Sequence, residues 1–255
     1  MAFFGVSARN EEQRIALHYL NDDKPLTIIT GNAGVGKNLI TQAVGLENVM
    51  ETQKYDKMIY TRLQVQLGMH LGYLAGDLKG KTEPFMLPFL DNLEKMESNK
   101  KGIIKNYLFA EGNESKQKVF FDSIQTMRGR SIDHTFLIAD EIQNTDVHTM
   151  EAIATRIDRG SKFVLLGNFA QIDEPSLRVP EKNGFYKLLK GLYEKDPRRK
   201  YFNHIHLVEN QRSEVVSMIS DIFQTEDEVA EPFLELEKLG TIEKQIGIAS
   251  CRERV

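Results

Sequence analysis

The chain has 255 residues, 33 Lys and Arg against 37 Asp and Glu, and a formal net charge of −4. That length can bury a sizeable core and suits one α/β domain, while the acid excess excludes blanket attraction to nucleic acid, so any such binding has to come from local basic patches. A single cysteine, Cys251, excludes an intrachain disulfide framework and a cysteine zinc cage. With no basic and apolar leader at the start and no apolar segment of bilayer length, a soluble cytoplasmic protein with no membrane contact is expected.

In chain order, short β-branched or apolar runs fall at residues 26–30, 57–61, 119–124, 135–139, 163–166 and 204–208, separated by helical patterns. Such alternation predicts an α/β fold with a buried, mostly parallel sheet flanked by helices. The pattern breaks near residues 67–118, where Gly68, Gly72, Gly76, Gly80, Pro84 and Pro88 mark an insertion, partly helical over 85–96. One domain is expected over 1–225, followed by an acidic, flexible tail over 226–255.

The first strand runs into Gly31-Asn32-Ala33-Gly34-Val35-Gly36-Lys37-Asn38 and then a helical stretch. This is the G-x-x-x-x-G-K-[ST] phosphate loop with one departure. Glycines let successive backbone N–H groups converge on phosphates at the positive end of a helix, while the lysine reaches the terminal phosphates. Gly31, Ala33, Gly34, Val35, Gly36, Lys37 and Asn38 are therefore candidate nucleotide ligands. Asn38 stands where a hydroxyl usually meets Mg²⁺. Its carbonyl oxygen is one that Mg²⁺ accepts, though the side chain is longer than a hydroxyl and Mg²⁺ requires near-octahedral geometry.

Phe136-Leu137-Ile138-Ala139 leads to Asp140 and Glu141. In phosphate-loop enzymes the first acid holds Mg²⁺ at the carboxyl end of a strand beside the loop, and a following Glu polarises the attacking water. An acid pair heading the next helix, with Asn144, Thr145 and Asp146 as a capping region, explains the same residues singly; the order after the loop favours the catalytic role. Farther on, Gln171 follows an apolar strand and can bridge a water and a phosphate oxygen. Arg212, after the last run, can neutralise charge on a transferred phosphate.

Together with Tyr60-Thr61-Arg62, the Leu71–Leu78 stretch, Met127-Arg128-Gly129-Arg130-Ser131, Asp140-Glu141-Ile142-Gln143-Asn144 and the run from Gly167 to Pro175, these segments resemble the PhoH-like ATPase family, itself similar to the first motor domain of superfamily 1 helicases. The resemblance covers about residues 5–223. It implies a RecA-like P-loop NTPase with a single motor domain, using ATP and Mg²⁺. It further implies that Lys37 binds the β and γ phosphates, that Asp140 and Asn38 meet the metal, and that Glu141 activates water. Gln171 would sense the γ phosphate, Arg212 would stabilise the transition state, and Gln13 would read the adenine edge. A second departure is Asn168, where an Asp is common.

The family is associated with RNA metabolism and with rings, so the resemblance implies a homo-oligomer, a hexamer favoured, acting on single-stranded RNA or DNA. Arg128 and Arg130 are the candidates for backbone contact or for reaching a neighbouring subunit. The alternative is a nucleotide-binding oligomeric module with weak or no hydrolysis because of Asn38. A small phosphotransferase also fits the loop, but it leaves the segments around Gln171 and Arg212 unexplained.

Overall fold

Six runs that are apolar along nearly their whole length cannot expose either face, and they form one parallel sheet covered on both sides. A computed structural model describes residues 2–63, 78–96, 117–121, 132–211, 215, 218 and 229–242. The sheet strands are β3 (Leu26–Gly31), β4 (Lys57–Arg62), β5 (Val119–Phe121), β6 (Thr135–Asp140), β7 (Lys162–Gly167) and β8 (Phe202–Leu207), in the spatial order β5-β4-β6-β7-β3-β8. Every neighbouring pair is parallel, so all the carboxyl ends emerge at one edge. A small antiparallel pair, β1 (Ala2–Phe3) and β2 (Val6–Ser7), precedes the sheet.

The two faces carry separate cores. On one side α1 (Glu11–Asn21), α2 (Lys37–Leu46) and α3 (Leu78–Lys95) bury Leu17, Leu20, Ile40, Val44, Phe89 and Leu93 against Ile29, Ile138 and Leu166. On the other, α4 (Val147–Ala154), α5 (Gly184–Lys195) and α6 (Glu231–Leu239) bury Met150, Phe185, Leu189 and Phe233 against Ile28, Leu137 and Leu165. Alternate strand residues point to opposite faces, which is why adjacent residues such as Ile28 and Ile29 belong to different cores.

Helix starts follow side-chain chemistry. Asn10, Asp146 and Asn183 each accept a backbone N–H from the third residue onward, at 2.8, 2.7 and 3.0 Å, and so satisfy a donor that the helix leaves open. Asp146 is thus the cap within the region expected to contain one.

The strands match the sequence expectation with small shifts. The last strand ends at Leu207, and the N–H of Val208 turns to the Glu12 carboxylate at 2.8 Å. Helix α3 starts at 78 rather than 85. Its Phe89 packs edge-on against Tyr60 and Phe121, at 5.7 and 5.2 Å between ring centroids. The rest of the insertion, 64–77 and 97–116, lies outside the described residues.

The expected flexible tail is corrected over part of its length. Residues 231–239 form α6, with Phe233 buried and stacked on Phe169 at 4.8 Å. The acidic residues lie on the side of α6 away from Phe233 and Leu236, apart from Glu237. A composition average hides that division.

At the opposite, amino edge of the sheet, Lys162 is 1 % exposed and bonds the carbonyls of Tyr19 and Asp22 and the Asp22 carboxylate. Burial lowers its pKa to about 8 despite the favourable Asp22 partner. It ties the end of α1 to the sheet, far from the loops at the carboxyl edge.

Candidate functional site

The turn from β3 into α2 departs from ordinary backbone geometry at its glycines. Gly31 has φ +139°, and a Cβ there would lie 2.2 Å from the Leu207 carbonyl oxygen of β8. Gly36 caps α2 in the left-handed region at φ +92°. Gly31→Ala combines a disfavoured φ with a clash against backbone that cannot move aside. We expect a loss of about 3 kcal/mol or more, read as a lowered urea midpoint with an unchanged slope.

Lys37 opens α2 and curls back, its Nζ donating to the carbonyls of Gly31 and Asn32. Gln13, 3 % exposed, donates Nε2 to Val35 O at 2.9 Å and accepts the Arg9 N–H on Oε1 at 3.0 Å. The side chain assigned to the adenine edge is therefore engaged in holding the loop. Gln211 donates its backbone N–H to Gly34 O at 3.1 Å, which brings the segment after β8 against the loop. Arg212 itself lies outside the described residues, as do Arg128 and Arg130.

Asp140 ends β6, which is separated from β3 by β7. The sheet edge nevertheless brings it to the loop. Asn38 Nδ2 donates to Asp140 Oδ2 at 2.7 Å and to the Tyr60 hydroxyl at 3.0 Å, and Tyr60 donates to the same carboxylate oxygen at 2.9 Å. Asn38 Oδ1 instead accepts from Gln42 Nε2 at 2.7 Å. This orientation departs from the expected metal ligand: an ionised carboxylate only accepts, so the asparagine turns its donor towards Asp140 and its oxygen away.

Burial, and then the neighbouring charge of Glu141, push the Asp140 pKa up, against the pull of Arg62, Tyr60 and Lys37. Burial and the charge of Asp140 hold the Tyr60 phenol well above its usual range. A buried acid short of positive charge suits a divalent cation, and Mg²⁺ needs only one or two protein ligands when phosphates and water supply the rest. Asp140 fits such an ion as it stands; Asn38 fits only with its amide reversed.

Glu141 sits at φ +59° and carries a second web. Its carboxylate accepts from Arg62 at 2.9 Å and from Gln143 Nε2 at 2.7 Å. Gln143, fully buried, also donates to Gln171 O at 3.0 Å and accepts the Asn168 N–H at 3.1 Å. One side chain thus links the acid pair of β6 to the exit of β7. Asn168 caps the short turn that follows, accepting the Ala170 N–H at 3.1 Å. The Gln171 side chain is exposed and lines the same cavity, of about 650 Å³, as Lys37, Asn38, Asp140 and Glu141.

A family model described as PhoH-like protein matches residues 5–224. The chain belongs to the PhoH family. It is 36% identical over 204 residues to protein PhoH2 of Bacillus subtilis, covering 74% of this chain and 45% of that one. It is 31% identical over 223 residues to PhoH2 of Thermobispora bispora, covering 87% and 48%. The chain spans about half the length of these relatives. Among solved structures it is similar to a Pif1 helicase from Candida albicans, at a TM-score of 0.41 and 17% identity, over 85% of this chain and 43% of that one. The six-stranded parallel sheet flanked by helices is a P-loop NTPase fold, as expected. No helix among the described residues is long and apolar enough to cross a membrane.

The PhoH match ends before α6, yet α6 reaches the site. Thr30 Oγ1 meets His204 Nε2 at 3.0 Å and His206 Nδ1 at 2.9 Å, directly behind the loop. The two histidines of β8 are joined through that hydroxyl. Glu237 of α6 lies 3.8 Å from His206. Burial and the charge of Lys37 lower the His206 pKa to about 4, whereas burial raises Glu237 to about 7 against the Phe169 N–H and Lys37. Between about pH 4 and about pH 7 both groups are neutral, and the pair is then a buried polar contact and not an ion pair.

Glu237 binds its proton more tightly folded, at about 7, than its ordinary value of 4.5. Stability therefore falls as pH rises from 4.5 to 7, and the full penalty holds above 7. Glu237→Gln should raise the unfolding free energy by about 2–3 kcal/mol at pH 8. The gain should vanish towards pH 4.5 in urea titrations repeated across that range.

Sequence reading missed the roles of Tyr60, Arg62 and Gln143. All three stood in recognised motifs, but which atom each would face depends on the strand order.

Proposed function

We infer that this domain binds ATP with Mg²⁺ and hydrolyses it. The observation that carries the reading is the convergence of Lys37, Asp140, Glu141 and Gln171, from three different strand exits, on one cavity beside a glycine-bent loop. That volume lies within the range of small-molecule sites, about 300–1,000 Å³. The loop N–H groups and Lys37 take the phosphates, which requires Lys37 to exchange the Gly31 and Asn32 carbonyls for phosphate oxygens. Mg²⁺, when bound, neutralises charge developing on the phosphates. Asp140 holds its carboxylate at the cavity edge, and Glu141, fixed by Arg62 and Gln143, orients and deprotonates water. Gln171 hydrogen-bonds the γ phosphate, and Gln143 ties its backbone to Glu141. Arg212, next to the Gln211 contact with Gly34, supplies the cation for the transition state. Phosphate release from Mg-ATP by the purified protein tests this; ATP binding with no release leaves only the binding half.

The Asn38 orientation favours a second reading, nucleotide binding with weak turnover, because an N–H faces the acid expected to hold the metal. Assembly into a homo-oligomer, a hexamer favoured, around single-stranded RNA or DNA rests on family membership. Light scattering with Mg-ATP, and strand binding that weakens steeply with salt, would support it.

A further inference from the structure

Asn38 and Gln42 lie one helical turn apart on α2, close enough for their side chains to meet. Gln42 is fully buried, and its Oε1 is an acceptor with no hydrogen-bond partner among the described residues. Its Nε2 is spent on Asn38 Oδ1 at 2.7 Å, and this bond leaves Asn38 Nδ2 facing Asp140. A primary amide keeps nearly the same shape when its oxygen and nitrogen change places, and the terminal torsion that exchanges them is soft. Two linked amides can therefore turn over together and keep the bond between them. In the exchanged arrangement Asn38 Nδ2 donates to Gln42 Oε1, the acceptor that now lacks a partner, and Asn38 Oδ1 faces Asp140.

Charge decides between the two arrangements. Beside an ionised Asp140 alone, an N–H is attractive and a carbonyl oxygen repels. Beside a divalent cation the sign reverses, since a hard cation takes oxygen ligands and is repelled by the positive end of an N–H dipole. Resting on the reading of Asp140 as the cation's ligand, we propose that Gln42 is the positioning residue that makes Asn38 a two-state group, a hydrogen-bond donor to Asp140 without a cation and an oxygen ligand with one. A serine or threonine at this position has no such second state tied to a buried neighbour. Cation occupancy is thereby coupled to a hydrogen-bond pair inside α2.

Mn²⁺ with ADP is the probe. In wild-type protein carrying asparagine labelled with ¹³C at the side-chain carbonyl, electron-nuclear double resonance should show a ¹³C coupling to Mn²⁺ that disappears in Asn38→Ser. Gln42→Glu offers Asn38 only acceptors, which holds its Nδ2 inward and its oxygen towards the cation. It should tighten Mn²⁺ by about ten-fold, read from the free-ion signal in a titration. A buried carboxylate also attracts a cation through space, and that effect would persist when Asn38 is replaced. In an Asn38→Thr background the gain from Gln42→Glu should therefore largely disappear. Absence of the ¹³C coupling in protein that holds Mn²⁺ and ADP, or an equal gain in both backgrounds, overturns the proposal. ADP calorimetry on the same samples separates the two levels: no ADP binding sinks the nucleotide reading and this proposal with it, whereas ADP and Mn²⁺ binding without the coupling sinks the amide arrangement alone. Should Gln42→Glu fail to fold, the wild-type coupling still decides.

Discussion

Lys37→Ala is expected to weaken ATP and ADP binding by about a hundred-fold or more while the protein still unfolds cooperatively. The ammonium is the compact charge at the loop, and hydrogen bonds to charged groups contribute about 1.5–3 kcal/mol each, so losing two to phosphate oxygens reaches that size. The cost to the fold is smaller. Lys37 Nζ bonds the Gly31 and Asn32 carbonyls at the cavity, where water can replace it. Calorimetry with each nucleotide, paired with a thermal melt, separates the two effects. Unchanged affinity in a folded variant would remove the loop from the nucleotide reading.

Glu141→Gln should lower phosphate release by about a thousand-fold, within the usual contribution of a general base, and leave nucleotide affinity within a few-fold. The amide keeps the shape of the acid but cannot take a proton from water. It also disturbs one contact, because its nitrogen would meet Gln143 Nε2, which now donates to the carboxylate at 2.7 Å. Gln143 cannot turn over without giving up the Asn168 N–H that it accepts at 3.1 Å. Some loosening between β6 and β7 is therefore expected beside the chemical loss. Single-turnover release at the wild-type rate would return Glu141 to a residue that merely opens the short turn after β6.

The parallel sheet was legible because both of its faces are buried, so each strand reads as an apolar run. The loop was legible because its glycines answer a local need: Gly31 has Leu207 O where a Cβ would be. Asp140 and Glu141 were legible from their place after such a run. Strand order was not. The position of β7 between β3 and β6 comes from pairing across the whole chain, and it is what lets Gln143 bridge Glu141 and Gln171. The orientation of Asn38 was out of reach for the same reason, since Tyr60, Asp140 and Gln42 come from three elements. Helix α6 was lost to its own acidity: Phe233 and Leu236 make a short apolar stripe within a charged segment.

The close approach of Gly31 to Leu207 also bears on how the protein is made. Among the described residues strand β3 pairs only with β7 and β8, and Thr30 bonds a histidine 174 residues farther along. Parallel partners so distant are slow to find one another, and the chain leaves the ribosome amino end first. The segment with the phosphate-binding signature thus emerges well before β8 and acquires its shape only once β8 has joined it. A nascent chain that stops short of β8 would carry the whole loop sequence without the strand that bends it. Competence for nucleotide therefore waits on the edge strand, which closes on a loop made long before it.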